Sequence, residues 1–270
     1  MAKKESSYMN YEVMSSENLE KGVARTTHKH LRRSSSLDTM NKILIDHSNI
    51  LATMESNTFN IFEAEKIIGR PHLMNSMMLK ITNDMKLNDI VNEEKLLCFF
   101  DNIYVKYSRD VQYHNDLHGV DVCQMVYRML TAGNLCNIIK LNKLDILSFL
   151  TAAICHDVGH DGMNNSYHSN ACTMRSIDSN DVSVQETYHA VEVFKTLQED
   201  CSNFTEALTR QEFKIFRKRV IGVILATDMA KHTMDLSQLK QTIATHNIEG
   251  GKNSELICQT DDESELFKNQ

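Results

Sequence analysis

Proline and glycine are scarce in this chain: 270 residues include one proline, nine glycines and no tryptophan. Sheet-rich folds use proline and glycine at the turns between their strands, so this scarcity argues against them. Apolar residues make up 41% of the chain and charged residues 24%. That balance is typical of amphipathic helices joined by short polar loops. We therefore predict an all-α fold, a bundle of many helices.

Three further absences exclude classes of function. No run reaches the roughly 18 consecutive apolar residues of a membrane helix, and residues 1–7 lack the apolar region of a signal peptide. The net charge is −7 and no basic block with interleaved aromatics occurs, so we expect no nucleic-acid partner. The seven cysteines include no Cys-x-x-Cys pair, and we expect reduced, mostly buried thiols and no zinc–thiolate site. These features predict a cytoplasmic protein without a membrane span.

The chain divides by composition near residue 38. Residues 1–38 are polar and rich in serine, glutamate and lysine, and we expect a flexible segment. Within it, Arg32-Arg33 precede Ser34, Ser35 and Ser36, a pattern that suits a basophilic kinase, because its acidic groups can hold two guanidinium groups. An unmodified basic linker is the alternative interpretation. Residues 39–270 carry apolar residues at three- and four-residue spacing and form the predicted helical domain.

Histidine and carboxylate residues concentrate in the middle of that domain. Six of the twelve histidines lie between residues 114 and 189: His114, His118, His156, His160, His168 and His189. The adjacent His156 and Asp157 can present an imidazole and a carboxylate to one cation, and we expect His160 on the same helix face, four residues on. The spacing predicts a two-metal hydrolase site.

The motifs resemble the catalytic domain of class I 3',5'-cyclic nucleotide phosphodiesterases, within the HD-domain metal hydrolases. The resemblance rests on five segments in order: Tyr113-His114-Asn115-x-x-His118, Asp121-Val122, His156-Asp157-x-x-His160-x-Gly162-x-x-Asn165, Glu186-x-x-His189 and Ala226-Thr227-Asp228-Met229-x-x-His232. It implies hydrolysis of cAMP or cGMP, or both, to nucleoside 5'-monophosphates.

The resemblance also implies roles for individual residues. His118, His156 and Asp157 are expected to bind metal, with Zn²⁺ at the first site and Mg²⁺ or Mn²⁺ at the second. His114 is the expected general acid, and Glu186 the residue that orients it. The resemblance places three residues around the metal ligands, namely His160, Asn165 and His189. It places four on the substrate side, namely Tyr113, His114, Asp228 and Met229.

Two departures from the family pattern affect the interpretation. The family often has two histidines after the glutamate, whereas this sequence has Tyr188-His189. The family's later His-x-x-Asp segment and its purine-binding glutamine and phenylalanine have no counterpart before Gln270, and Asp261-Asp262 are poor substitutes. We therefore expect residues 39–270 to be a partial catalytic domain without its C-terminal helices. The apolar faces of the helices near residues 144–155 and 209–229 should then be exposed and favour self-association.

Two alternatives stay open at this stage. One is a generic HD-domain nucleotide phosphohydrolase, and the other is a non-catalytic truncated regulator or decoy of a full-length phosphodiesterase.

Overall fold

A computed structural model describes residues 36–245 of the chain. Within this range it contains thirteen α-helices, one 3₁₀ turn at Thr53–Glu55 and no strand, which confirms the predicted all-α fold. The helices are α1 (Leu37–Asp46), α2 (Ser48–Ala52), α3 (Ile61–Ile68), α4 (Arg70–Asp84), α5 (Glu93–Lys106), α6 (Asp116–Leu130), α7 (Leu135–Ile138), α8 (Lys143–Cys155), α9 (Asn165–Asn170), α10 (Met174–Asp178), α11 (Val184–Leu197), α12 (Arg210–Leu225) and α13 (Met229–Thr245). None of these helices is both long and apolar enough to cross a membrane.

The ends of the chain bear on several sequence predictions. The segment up to residue 35, for which the sequence predicts flexibility, and the Asp261-Asp262 pair lie outside the described residues, and so do Ser34 and Ser35. Helix α1 begins at Leu37, because the Ser36 side chain accepts a hydrogen bond from the Thr39 amide at 3.3 Å. The last two residues of the predicted segment 1–38 are therefore helical.

Helix α8 forms the centre of the bundle, packed between α6 and α12. Its sequence is almost continuously apolar, and most of its residues are buried, as expected of a helix surrounded by others. It begins with a capping box in which Asn142 and Asp145 exchange side-chain and backbone hydrogen bonds. Arg219 of α12 pairs with the same Asp145 at 2.7 Å, which fixes the start of α8 against α12. The other end of α8 leads into His156 and Asp157.

Gly119 lets α6 approach α8 closely. A Cβ atom at this position would lie 2.7 Å from the Ile154 carbonyl oxygen and 2.8 Å from the Tyr107 hydroxyl oxygen. The Tyr107 hydroxyl donates a hydrogen bond to that same Ile154 carbonyl at 2.8 Å. Only glycine fits here without displacing backbone, so the first turn of α6 is held beside the last turn of α8.

A cluster of phenylalanines joins α5, α11 and α12. Phe204, in the loop before α12, packs edge-on against Phe99 at 5.0 Å between ring centroids and against Phe216 at 6.2 Å. All three rings are buried. Offset and edge-on rings of this kind add stabilisation beyond the area they bury.

The cysteine prediction is wrong for one pair. Cys98 of α5 and Cys201, in the turn after α11, form a disulfide with their Cα atoms 6.0 Å apart. They are 103 residues apart in sequence, so only the packing of α5 against α11 brings them together. Cys123 and Cys155 are buried thiols as expected, and burial raises the pKa of Cys123 to about 12. Cys172 is exposed.

Candidate metal centre

The start of α6 separates the two histidines of the first motif. Asn115 caps α6, because its side-chain oxygen accepts from the Leu117 amide at 3.0 Å and the His118 amide at 3.4 Å. His118 therefore lies in the first turn of α6, whereas His114 lies before the helix. Arg70 of α4 makes a two-pronged ion pair with Asp116, at 2.9 and 2.7 Å, which holds this first turn in place.

The second histidine segment is a turn and not a helix. Helix α8 ends at Cys155, and residues 156–159 form turns. Gly159 has a φ of +73°, a left-handed conformation that glycine adopts readily and that a continuing helix does not contain. The expectation that His160 shares a helix face with His156 is therefore wrong. The turn nevertheless returns His160 to the same site.

Four imidazoles surround the carboxylate of Asp157. Its Oδ2 lies 2.7 Å from His114 Nδ1, 3.2 Å from His156 Nε2 and 3.5 Å from His118 Nε2. Its Oδ1 lies 3.9 Å from His189 Nε2. Burial of this carboxylate opposes its ionisation, but hydrogen bonds and charge interactions led by His156 outweigh burial and lower the pKa of Asp157 well below its usual range. Asp157 is thus the shared carboxylate of the centre.

Backbone carbonyls orient two of these rings. The Nδ1–H groups of His156 and His189 donate to the carbonyls of Ala153 and Val158, each at 2.8 Å, so that each Nε2 faces Asp157. Burial lowers the pKa of His189 to about 4, and burial also lowers the pKa of His118. For His156, burial is outweighed by the hydrogen bond with Asp157, and its pKa is raised. Neutral imidazoles that present a free ring nitrogen are what a metal requires.

The donor set fits a divalent metal. Ligand atoms of His114, His118 and Asp157 all lie within 4.8 Å of one another, and His156 Nε2 contacts the same carboxylate oxygen. Imidazole nitrogen and carboxylate oxygen are the usual ligands of Zn²⁺ and are accepted by Mn²⁺. The residues present are therefore able to hold a metal at this position.

His160 lies behind His114. Their rings stack with centroids 4.2 Å apart and an interplanar angle of 11°. Nδ1 of His160 accepts from the Gly162 amide at 2.9 Å, and burial lowers the pKa of His160. A cavity of about 660 Å³ opens beside these two rings, between residues 106–114 and residues 159–163.

Glu186 of α11 pairs with Asn165 of α9. The Asn165 amide donates to the Glu186 carboxylate at 2.9 Å, and its oxygen accepts from the Gln185 amide at 2.8 Å. Burial raises the pKa of Glu186. The imidazole of His114 is bonded to Asp157 in this structure, so the orientation of His114 by Glu186 stays a prediction.

The expected substrate-side residues occupy two places. Tyr113 is exposed, and its ring centroid lies 4.5 Å from that of His118. Asp228 is buried and accepts from the Ser183 hydroxyl at 2.8 Å, just before the helix that carries Glu186. Met229 begins α13 and is exposed.

The sequence analysis missed two residues beside the turn at 156–163. Gln185 Nε2 donates to Asp161 Oδ1 at 2.8 Å and to the Met163 carbonyl at 2.7 Å, and Arg175 Nη2 donates to the Gly159 carbonyl at 2.9 Å. Gln185 is buried. In the sequence, only its position next to Glu186 points to a role at the site. Arg175 has no such signal, because its contacts depend on how α10 packs.

Comparison with known proteins identifies the family of the chain. Residues 113–268 match the family model for 3'5'-cyclic nucleotide phosphodiesterase. The chain is 31% identical over 256 residues to the 3',5'-cyclic-nucleotide phosphodiesterase regA of Dictyostelium discoideum, covering 85% of this chain and 32% of that protein. It is 32% identical over 220 residues to the human high affinity cGMP-specific 3',5'-cyclic phosphodiesterase 9A, covering 79% of this chain and 35% of that protein.

A solved structure is also similar. The crystal structure of the phosphodiesterase domain of the RhoPDE fusion protein from the choanoflagellate Salpingoeca rosetta superposes with a TM-score of 0.61 at 27% identity, covering 72% of this chain and 59% of that one. This chain spans about a third of the length of the two curated relatives. By the family match over residues 113–268 and these relatives, the chain belongs to the 3'5'-cyclic nucleotide phosphodiesterase family.

Proposed function

We propose that this chain hydrolyses 3',5'-cyclic nucleotides, cAMP or cGMP or both, to nucleoside 5'-monophosphates. The observation that carries the proposal is the convergence of four imidazoles on the buried carboxylate of Asp157 in a member of this family. Hydrolysis of a phosphodiester near neutral pH needs an activated water and a proton for the departing oxygen. This group of residues offers positions for both.

The proposed metals are Zn²⁺ at a site of His118, His156 and Asp157, and Mg²⁺ or Mn²⁺ at a neighbouring site that shares Asp157. When bound, such cations neutralise phosphate charge and lower the pKa of water. His160, Asn165 and His189 surround these ligands in the proposal. Hydrogen bonds hold two of these side chains beside the ligands and support this part of the proposal: the Gly162 amide donates to His160, and His189 donates to the Val158 carbonyl.

His114 is the proposed proton donor to the departing 3' oxygen. Its side chain is 41% exposed, against 17% for His118, so it is the more accessible of the two to a substrate. Glu186 is the proposed residue that orients His114. In that role the His114 imidazole would no longer bond Asp157, whose carboxylate would bind the metal. Tyr113, Asp228 and Met229 are proposed on the substrate side.

A direct assay tests the proposed function. The purified chain is incubated with Zn²⁺ and Mg²⁺ or Mn²⁺ and with cAMP or cGMP, and the nucleoside 5'-monophosphate is measured by chromatography. We expect product from the chain and none above background from Asp157→Asn or after chelation. Asp200→Asn is the matched control, since Asp200 is exposed after α11 and should leave turnover unchanged. No product from either nucleotide with any of these metals would contradict the proposal.

Three further proposals come from the sequence. A cytoplasmic location, self-association and phosphorylation by a basophilic kinase at Ser34, Ser35 or Ser36 stay predictions. Ser36 caps α1, and a phosphate there would add negative charge at a helix N-terminus, where it is favourable. Mass spectrometry after treatment with such a kinase tests this, with an Arg32→Ala and Arg33→Ala double variant as control. Absence of phosphate on all three serines would favour the unmodified linker.

A further inference from the structure

Arg175 lies on α10, outside the group of histidines, yet its guanidinium contacts the turn that carries two of them. Nη2 donates to the Gly159 carbonyl at 2.9 Å, and Cζ lies 3.7 Å from the centroid of the Tyr188 ring. Nη1 donates to the side-chain oxygen of Gln185. The side chain is only 19% exposed. A planar guanidinium can make these contacts together, whereas a lysine ammonium cannot.

Tyr188 also contacts Gly159. A Cβ atom on Gly159 would lie 2.9 Å from Cε1 of Tyr188, so the ring packs as closely against this residue as glycine permits. The same ring makes a cation–π contact with the Arg175 guanidinium. Tyr188 is also the position where the sequence departs from the pair of histidines expected of the family. Arg175 and Tyr188 thus stack on each other and both contact Gly159.

The same turn is held at two further points. Arg175 Nη1 lies 3.4 Å from Asp161 Oδ2, and Gln185 joins Asp161 to the Met163 carbonyl. His160 lies between Gly159 and Asp161, with its ring stacked on His114 at 4.2 Å. Asp157 lies two residues before Gly159. Movement of the Gly159 carbonyl would therefore shift both a ring that packs on His114 and the shared carboxylate.

We propose that Arg175 is a positioning residue, which together with Tyr188 clamps Gly159 and so fixes His160 and Asp157 relative to His114. Its kinetic consequence rests on the proposed function. Displacement of reacting groups by about 1 Å can cost about 10²-fold in rate, and loss of the partners that orient metal ligands costs about 10- to 100-fold in metal affinity.

The kinetic test compares Arg175→Ala with a matched control, Arg217→Ala. Arg217 of α12 also stacks on a ring, with Cζ 4.2 Å from the Phe194 centroid, but it does not touch the turn. We expect Arg175→Ala to lower kcat by about 10- to 100-fold, with KM within about twofold. Arg175→Lys should recover little of the loss, and Tyr188→Phe should retain a higher kcat than Tyr188→Leu. Arg175→Ala and Arg217→Ala should lower Tm by similar amounts, because each loses a cation–π contact. Only Arg217→Ala should leave kcat unchanged.

Two readouts do not depend on turnover. Hydrogen exchange of the amides of residues 158–163 should speed up in Arg175→Ala and not in Arg217→Ala, and Mn²⁺ affinity measured by calorimetry should fall about 10-fold only in Arg175→Ala. Equal effects of the two variants on kcat, or unchanged exchange in Arg175→Ala, would overturn the proposal. If the unaltered chain hydrolyses neither nucleotide, the proposed function fails, and exchange and Mn²⁺ affinity alone decide whether the clamp exists.

Discussion

His114 and His118 both contact Asp157, but their surroundings differ in ways that separate their proposed roles. His118 is held in the first turn of α6 and is mostly buried, whereas His114 lies before the helix and is more exposed. His118→Ala should lose bound metal and turnover together. His114→Ala should keep its metal and lose about 10²- to 10⁴-fold in turnover, the usual worth of a positioned proton donor. Metal content, measured by mass spectrometry, and kcat are determined for both variants. Equal metal loss in both would refute the division of roles.

The buried imidazole of His189 makes a pH-dependent contribution to stability in the metal-free chain. Burial lowers its pKa in the folded chain to about 4 from the usual 6.5 of an exposed imidazole. Between these values the unfolded chain binds more protons than the folded one, so the free energy of unfolding falls as pH falls from about 6.5 towards 4 and is unaffected above that window. At pH 5 the loss from this residue is about 1–2 kcal/mol.

The measurement is urea unfolding in the presence of chelator at pH 7 and pH 5. His189→Gln should reduce the drop in unfolding free energy between the two conditions, while the part due to His118 and His160, whose pKa values are also lowered by burial, remains. The same drop in the variant and in the unaltered chain would contradict the assignment.

At the scale of helices, the crossing of α6 and α8 should tolerate no side chain at Gly119. An added Cβ would meet the Ile154 carbonyl at 2.7 Å, and backbone cannot move aside as a flexible side chain can. Gly119→Ala should therefore destabilise the chain by about 1–3 kcal/mol. It should also weaken metal binding, because it separates His118 on α6 from His156 and Asp157 after α8.

Gly222 provides the matched control. It lies inside α12, and a Cβ there has nothing within 4 Å. Gly222→Ala should stabilise the chain by about 0.5–1 kcal/mol, since alanine has the higher helix propensity. Thermal or urea unfolding of both variants checks the contrast, and a neutral Gly119→Ala would show that the crossing is looser than the structure indicates.

Helices were predictable from the sequence where one pattern determined them. The apolar run from Leu144 to Cys155 predicts α8 to within one residue of its start, since a buried helix needs no polar face. Residues 156–160 were misjudged, because histidine and aspartate at helical spacing do not reveal that Gly159 has a positive φ. The motif thus indicated which residues lie close together at the site, but not the backbone conformation of the segment that carries them.

Contacts between distant segments had no such pattern. Cys98 and Cys201, and Arg175 with Gly159, are brought together by helix packing. Their spacing in the sequence carries no periodic signal, so these contacts follow from the tertiary structure alone.

At the scale of the whole chain, α13 presents apolar side chains to solvent. Among the described residues, none on α13 is buried. Met229, Leu236, Leu239 and Ile243 are exposed at spacings of seven, three and four residues, which place them along one face of the helix. A continuous apolar row of this kind favours pairing with a second helix. The prediction of an exposed apolar face near residues 144–155 is wrong, because most of α8 is buried; the exposed apolar residues that favour self-association lie on α13 instead.

We expect sedimentation velocity to detect self-association that increases with concentration, and a Leu236→Lys and Leu239→Lys double variant to shift the chain towards monomer. Like charges introduced along the row would oppose pairing of two copies, whereas they cost little on an already exposed helix. Ile45→Lys is the matched control, because Ile45 on α1 is 74% exposed and lies outside this row, and it should leave the distribution unchanged. A chain that is monomeric at all concentrations, or that associates equally in all three forms, would show that α13 does not pair with a second copy.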